Sequence, residues 1–445
     1  MRLPNAVELC IRELEAAGFS AYAVGGCVRD ALLGLEPHDY DLCTSALPEE
    51  TAEVFRRFPL VRNGEKHGTV GVVIDREVIE ITTFRTEGGY QDSRHPDWVR
   101  FVPDVTQDLA RRDFTVNAMA YSHTAGHIDP FGGQKDLHNR VLRAVGDPAA
   151  RFTEDPLRIL RGVRFAVRFG LRVEPETEKA MRVQAPLMKK LANERVFDEL
   201  CKLLPLMQAE DILRFCPVLT AVIPELLPSV GFLQRNPHHA YDVFTHTAYV
   251  TGAVPAEPVL RWAALLHDVG KPDAFTVDDS GCGHFKGHAA IGAAAADGIL
   301  HRLKAPTALR EQVVFLIGHH MTPLEPDKRL LRRRLGQYGE QAVRRLLALQ
   351  KADHSSKGTG TRQEADTFTE TERLLERIIA EEDCLTVKDL AVNGRDLIGL
   401  GFKPGPGLGD CLEALLRQVQ DEVLPNEKQV LLQAAKQYVK QERNA

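Results

Sequence analysis

The sequence predicts an α+β protein in which a small mixed α/β head is followed by an all-α remainder. Three observations carry this. Helix and strand signals alternate up to about residue 140, strand signals nearly vanish from about residue 150, and helical periodicity then continues to the end. The 445 residues are enough for several cores. The expected divisions are a head over 1–140, a helical neck over 141–230, a helical domain over 231–355 and a helical tail over 356–445. A flexible joint is expected at Ser355 to Thr361, which is rich in Ser, Gly and Thr.

Taken in order, Val7, Cys10, Ile11 and Leu14 fall at helical spacing with charges between them and Gly18 as a stop, which reads as an amphipathic helix and not a signal peptide. Ala21 to Val24 reads as a strand, Val28 to Leu33 as a helix and Tyr40 to Thr44 as a strand. Thr69 to Ile74 and Val78 to Phe84 form a hairpin about Asp75-Arg76. No apolar run is long enough to span a membrane, so no membrane partner is expected. The eight cysteines contain no Cys-x-x-Cys pair, which argues against a zinc ribbon or a disulfide framework and for a reduced, cytoplasmic protein. A formal charge of −6 does not advertise a nucleic-acid binder, but phosphate contacts depend on a local basic face.

The chemistry begins at Gly25-Gly26-x-x-Arg29-Asp30, closely followed by Asp39-x-Asp41. Glycines let a backbone approach a polyphosphate, and aspartates at i and i+2 of an extended segment project from one face. Such a pair can hold the divalent ions, Mg²⁺ here, that two-metal phosphoryl or nucleotidyl transfer requires. Glu80 is either a third carboxylate on the face that meets them or a solvent-facing strand residue.

The run from Gly25 through Leu33-Gly34, Pro37, Asp39 and Asp41 to Thr44 resembles the head signature of class II tRNA nucleotidyltransferases and bacterial poly(A) polymerases, members of the polymerase-β nucleotidyltransferase superfamily. Arg111-Arg112-Asp113-x-x-x-Asn117-Ala118 resembles a second motif of that family. An arginine fork suits triphosphate oxygens, and a nearby carboxylate or amide suits a ribose 2′-OH. Glu154-Asp155-x-x-Arg158 matches the motif credited with choosing the base. Asp155 and Arg158 share a helix face and offer an acceptor and a donor fork that suit cytosine and adenine but not uracil or guanine. Pro156 fits a first helical turn whose positive end suits Glu154 and Asp155. Arg161 and Arg164 follow on the same run. Thr83 to Pro96, with Gly88-Gly89, resembles the family's flexible loop linked to the change from C to A addition. Lys66-His67-Gly68 looks more like CCA-adding enzymes than poly(A) polymerases.

A second constellation holds His246, His267-Asp268, Lys271, His288, one of His319 or His320, and Asp353. Imidazoles and carboxylates form the mixed ligand set of divalent metals. Their order resembles the HD phosphohydrolase superfamily, whose domains are appended to some bacterial CCA-adding enzymes. The resemblance implies a divalent metal at this centre and a phosphohydrolase activity, with Lys271 steadying an anionic substrate. Arg332, Arg333 and Arg334, with Lys328, Arg329, Arg344 and Arg345, are a basic concentration that reads either as a phosphate track for tRNA or as a solvated helix face. Gly394 to Gly409 resembles a CCA-adding tail element, with a turn before a helix whose N-terminus suits phosphate.

The expected function is untemplated addition or repair of the 3′-terminal CCA of tRNA from CTP and ATP. Within the same chemistry stand a poly(A) polymerase and an A-adding enzyme. From other classes come an HD phosphohydrolase whose head only binds RNA, and a non-catalytic scaffold. The Asp39/Asp41 pair argues against the last two, since a scaffold has no need of two mutually repelling carboxylates.

Overall fold

The short apolar segment Ala21–Val24 (β1) becomes an inner strand of a mixed sheet, and the chemically loaded segments hang from its end. The structure, a computed structural model, describes residues 1–88, 98–359, 362–381 and 384–442. The first helix, α1 (Asn5–Ala16), buries Val7, Cys10, Ile11 and Leu14, the four residues its periodicity selects. After β1 come α2 (Gly26–Leu32), β2 (Leu42–Thr44), β3 (Leu60–Val61), β4 (Thr69–Ile74), β5 (Glu77–Thr83), β6 (Arg85–Gly88), β7 (Trp98–Phe101), β8 (Ala120–Ser122) and β9 (Gly126–Ile128).

Seven of these strands form one sheet in the order β3-β4-β5-β2-β1-β8-β9. β2 runs parallel to β5 and the other neighbours are antiparallel. The β4–β5 hairpin turns at Asp75 and Arg76 with φ of 51° and 71°, the double positive φ of a turn whose twist matches the strands. The strand expected from Tyr40 starts only at Leu42, because Asp41 lies at its edge and gives its carbonyl to the Val24 amide at 3.0 Å. β6 and β7 pair apart from the main sheet. Gly89, Tyr90, Asp92, Arg94, His95 and Pro96 of the expected flexible loop lie outside the described residues.

The chain forms two compact units, residues 1–207 with 214–224 and residues 208–213 with 225–445. In the first, helices Pro148–Glu154, Leu157–Phe169, Pro175–Gln184 and Asn193–Leu203 follow the sheet. A short parallel pairing of Val141–Leu142 with Arg172–Val173 adds strand content that the sequence pattern does not advertise. Leu157–Phe169 packs closely at Gly162, where a Cβ would lie 2.7 Å from the Phe114 ring, and Phe165 meets Phe114 edge to face at 6.0 Å.

The second unit is helical apart from the two-residue strands Thr276–Val277 and Gly283–His284, among the described residues. Helices Val243–Ala253, Pro258–Leu266, His288–Arg302, Thr307–His319 and Glu340–Ser355 form its first part. The expected joint is no free linker where it is described. Ser356 is buried and gives its carbonyl to His246 Nδ1, the Ala240 amide donates to the Lys357 carbonyl at 2.9 Å, and Thr359 Oγ1 donates to the His238 carbonyl at 2.6 Å. Gly360 and Thr361 lie outside the described residues. The last helices close a core around Leu397, Leu415, Leu431 and Ala435. No helix among the described residues is long and apolar enough to cross a membrane.

Candidate functional site

A cavity of about 610 Å³ in the first unit gathers most of the head and neck motifs. Gly25 turns with φ 80° and bonds its amide to the Met119 carbonyl, so the glycine turn sits beside Asp41 at one end of the sheet. A Cβ on Gly25 would lie 2.5 Å from Arg112 Nη1, so only glycine lets that guanidinium approach the turn. Asp39 and Asp41 both line the cavity. The Asp41 carboxyl is raised above its ordinary value by burial, an effect that Arg112 opposes and Asp39 reinforces. Eight arginines and five aspartates line the space, a positive balance that suits a polyphosphate. Glu80 is exposed and does not line the cavity. The β2–β5 register sets it one residue before Ile81, the partner of Leu42, and therefore level with Asp41.

Arg29 is buried. It donates to Asn117 Oδ1 at 2.6 Å, pairs with Asp30 and lies over the Phe169 ring at 4.4 Å. Asp113 takes the Phe114 amide and Asn117 Nδ2 on one oxygen, and Arg161 Nε and Nη2 on the other. Burial opposes its ionisation, but Arg161 and Asn117 outweigh burial and hold the carboxyl down at about 2. With four donors its acceptor sites are full, so a ribose hydroxyl finds none free. Asp113 therefore orients Arg161 and Asn117 at the wall of the cavity.

Asp155 and Arg158 line the same cavity, each held by a third residue. Arg195 Nη2 donates to Asp155 Oδ2 at 3.0 Å and the Leu157 amide donates to Asp155 Oδ1. Arg158 donates to Glu154 Oε2 at 2.7 Å and to the Arg151 and Arg111 carbonyls. Glu154 and Asp155 do not cap one helix as expected. Glu154 ends Pro148–Glu154 and Pro156 precedes Leu157–Phe169, because the proline breaks the run in two. Arg164 pairs with Glu199, which is buried.

The second unit holds a distinct cavity of about 640 Å³ lined by Asp268, His288, His320 and Asp353 among others. Each of four imidazoles turns Nδ1 to a backbone carbonyl: His246 to Ser356 at 3.2 Å, His267 to Ala264 at 2.8 Å, His288 to Phe285 at 2.8 Å and His320 to Ile317 at 2.6 Å. A proton on Nδ1 leaves the Nε2 lone pair for a metal. His246 Nε2, His267 Nε2 and Asp268 Oδ1 are buried without a hydrogen-bond partner, while Asp268 Oδ2 is ion-paired with Lys271. His246, His267 and Asp268 form one group of donor atoms within 4.8 Å of one another, Asp268, His288 and His320 form another, and Asp268 belongs to both. Asp353 Oδ1 lies 2.9 Å from His246 Nε2. Burial drives the His320 ring down to about 4 and also lowers His288, which keeps both neutral as ligands must be. Burial works against the Asp268 carboxylate, yet His267 and Lys271 outweigh it and hold it well below the usual range. This donor set fits a divalent metal.

Two expectations are narrowed here. His320 joins the cluster, whereas His319 packs on Phe315 at 4.5 Å and Tyr338 at 5.0 Å. Lys271 lines the cavity but is buried and bound to Asp268 at 2.7 Å and Gln234 at 2.9 Å, which leaves one of its three N–H donors for a substrate.

The Poly A polymerase head domain matches residues 21–143, the RNA- and SrmB-binding site of polymerase A matches 170–227, and tRNA nucleotidyltransferase domain 2 matches 288–435. The CCA-adding enzyme of Latilactobacillus sakei is 34% identical over 96% of both chains, and that of Streptococcus thermophilus is 35% identical over 96% of both. The chain belongs to the CCA-adding enzyme family. The CCA-adding enzyme of Bacillus stearothermophilus, solved in complex with CTP, superposes over 100% of both chains with a TM-score of 0.71 at 29% identity. That of Thermotoga maritima, complexed with tRNA, shares the fold with a TM-score of 0.60 at 22% identity, covering 97% of this chain and 94% of that one.

Membership of the CCA-adding enzyme family makes the protein a nucleotidyltransferase, chemistry that requires a divalent cation. His246, His267 and Asp268 lie outside the three matched segments, so the case for a second metal centre rests on their geometry.

The basic run is largely paired within the protein, and of its three central arginines only Arg333 is exposed. Arg332 is only 7% exposed and binds the Gln420 carbonyl and Glu422, Arg333 forks onto Asp421, and Arg334 lies over Tyr338. Arg344 is paired with Glu340 and Glu376, and Arg345 with Glu257. Arg332, Arg333, Arg344 and Arg345 meet carboxylates distant in sequence and so fasten helices, while Arg334 stays on Gln337 and Tyr338 of its own helix. In the tail, Asn393 caps Gly394–Gly399 through the Arg395 and Asp396 amides, and Pro406–Gln420 starts after Gly405. The cavity of this CCA-adding family member also includes His38, Cys27, Arg168 and Arg195, which the motifs did not nominate. Arg168 lies on the visible Arg161–Arg164 periodicity, but Arg195 joins Asp155 across 40 residues and carries no local signal.

Proposed function

We propose that the protein completes or repairs the 3′-terminal CCA of tRNA, taking CTP and ATP without a nucleic-acid template. One observation carries this reading beyond family membership: a single cavity unites the Asp39/Asp41 pair, the arginines and the Asp155/Arg158 pair. Asp39 and Asp41 offer oxygen-only ligands that suit Mg²⁺, which when bound supplies Lewis-acid stabilisation of the reacting phosphate in a two-metal arrangement. Arg112, beside the Gly25 turn, contributes positive charge for the triphosphate. Asp155 accepts from the exocyclic amine of cytosine or adenine and Arg158 donates to the ring nitrogen beside it, so uracil and guanine are refused. The arginine-rich wall replaces water around the charged tail of the nucleotide. The test is to incubate the protein with tRNA lacking its 3′ end, CTP and ATP, and to sequence the product. A complete CCA supports the reading, A alone makes it an A-adding enzyme, and a long A tract makes it a poly(A) polymerase.

We also propose a metal-dependent phosphohydrolase centre in the second unit, favoured by the orphaned Nε2 atoms of His246 and His267 and the unpaired Asp268 Oδ1. His246, His267, Asp268 and Asp353 would hold one divalent ion, and His288 and His320 would share Asp268 with a second. Such ions when bound lower the pKa of water and polarise a phosphate ester. Lys286 and Lys357 on the cavity wall suit an anionic RNA end, such as a 2′,3′-cyclic phosphate that must be cleared before addition. Hydrolysis of a cyclic nucleotide end with Mg²⁺, Mn²⁺ or Ni²⁺ tests this, and no hydrolysis with any of them makes the centre structural.

A further inference from the structure

Helix Asn193–Leu203 bears none of the motifs discussed above, yet it restrains two charged residues of the head-and-neck cavity. Arg195 holds Asp155, and one turn later Glu199 holds Arg164, whose guanidinium lies 4.6 Å from the Phe165 ring centre. Residues at i and i+4 share a face, so one helix surface tethers one acidic and one basic lining residue.

We propose that Arg195 is a positioning residue for base selection, acting through Asp155; this rests on the base-reading role given to Asp155 above. Asp155 stands between two helices with φ −137°, its amide on the Arg151 carbonyl and its carbonyl taken by the Arg158 amide, so the backbone is held and only side-chain bonds set the carboxylate. The Leu157 amide ties Oδ1, which leaves the carboxylate plane free to turn. The Arg195 bond to Oδ2 is the second tether, and two tethers on different oxygens fix the plane. A fixed acceptor rejects a base that presents a carbonyl there, because two lone pairs are forced together. A loose one swings aside and tolerates it. Arg195 Nη1 is buried with no hydrogen-bond partner. Arg195 itself lines the cavity, so this donor stands at the site.

The experiment measures kcat/KM for CTP against UTP on tRNA lacking CCA, and for ATP against GTP on tRNA ending in CC. The proteins are the parent, Asp155→Ala, Arg195→Gln, Arg195→Lys and the Asp155→Ala/Arg195→Gln double variant. Arg195→Gln is expected to lower both selectivity ratios by about tenfold, chiefly by admitting UTP and GTP. Arg195→Lys recovers part of the ratio, and the double variant is no less selective than Asp155→Ala alone. Parental selectivity in Arg195→Gln alongside relaxed selectivity in Asp155→Ala overturns the role of Arg195. An equal loss for right and wrong nucleotides in both arginine variants also overturns it, since that is a structural effect. Parental selectivity in Asp155→Ala overturns the base-reading role itself, and the inference falls with it.

Discussion

Arg161 reaches across 48 residues to place Nε and Nη2 on the same oxygen of Asp113, at 2.9 and 2.7 Å. This joins the neck helix to the head at the floor of the nucleotide cavity. A carboxyl held down at about 2 contributes stability that is fully present above its ordinary value and is lost as pH falls through about 2. Asp113→Asn should therefore lower the unfolding free energy at neutral pH by about 2 kcal/mol. Urea titrations should show the gap between parent and variant narrowing as the pH drops from about 4 towards 2. A gap independent of pH would mean that packing, and not charge, is the source.

Asp39→Asn and Asp41→Asn should each cut nucleotide addition by about a hundredfold or more while leaving thermal stability nearly unchanged. Neither residue belongs to the buried core, so their loss removes ligands without opening it. Addition near the parental rate in either variant would remove them from the chemistry.

Gly25→Ala should impair addition and weaken nucleotide binding together. The new methyl would meet Arg112 Nη1 at 2.5 Å in a backbone conformation with φ 80°. Nucleotide affinity measured by calorimetry should fall, and a variant with parental affinity would show that Arg112 has room to retreat.

Glu154→Gln should loosen Arg158, whose Nη1 lies 2.7 Å from Glu154 Oε2, and relax discrimination by roughly 1 kcal/mol, a factor of about five. Misincorporation of UTP and GTP, scored by sequencing the extended tRNA, provides the measurement. Unchanged fidelity would mean that the Arg151 and Arg111 carbonyls suffice to orient Arg158.

His267→Ala and Asp268→Asn should abolish stoichiometric metal retention and any phosphoesterase activity while CCA addition largely survives. Elemental analysis after dialysis gives the metal content, and the two activities are assayed in parallel. Loss of addition in step with loss of metal would make the centre a staple of the fold.

Local patterns were legible to the extent that their physics is local. The Val7–Leu14 stripe, the Ala21–Val24 strand and the Asp75-Arg76 turn each depend on residues within one element, and they appear where the sequence expects them. The motif residues could be grouped, but not the bonds between them. Nothing near Asp113 announces that four donors will fill it, and nothing near Arg332 announces Glu422, 90 residues away. A run of arginines looks the same in sequence whether its counter-ions are phosphates or its own carboxylates. Composition marked Ser355 to Thr361 as loose, but the His246 ring and the Ala240 amide take up two of its carbonyls.

Three of the four second-unit imidazoles take their orienting carbonyl from three residues upstream in their own chain: Ala264 for His267, Phe285 for His288 and Ile317 for His320. The instruction that aims each ring is thus written within four consecutive residues, and the distant parts of the fold need only bring helix ends together. Replacing one ring would remove one donor and leave its carbonyl to water, and restoring that ring would return the donor. Such a centre is cheap to lose and short to recover, one codon at a time, while the helices that carry it stay under selection for other work.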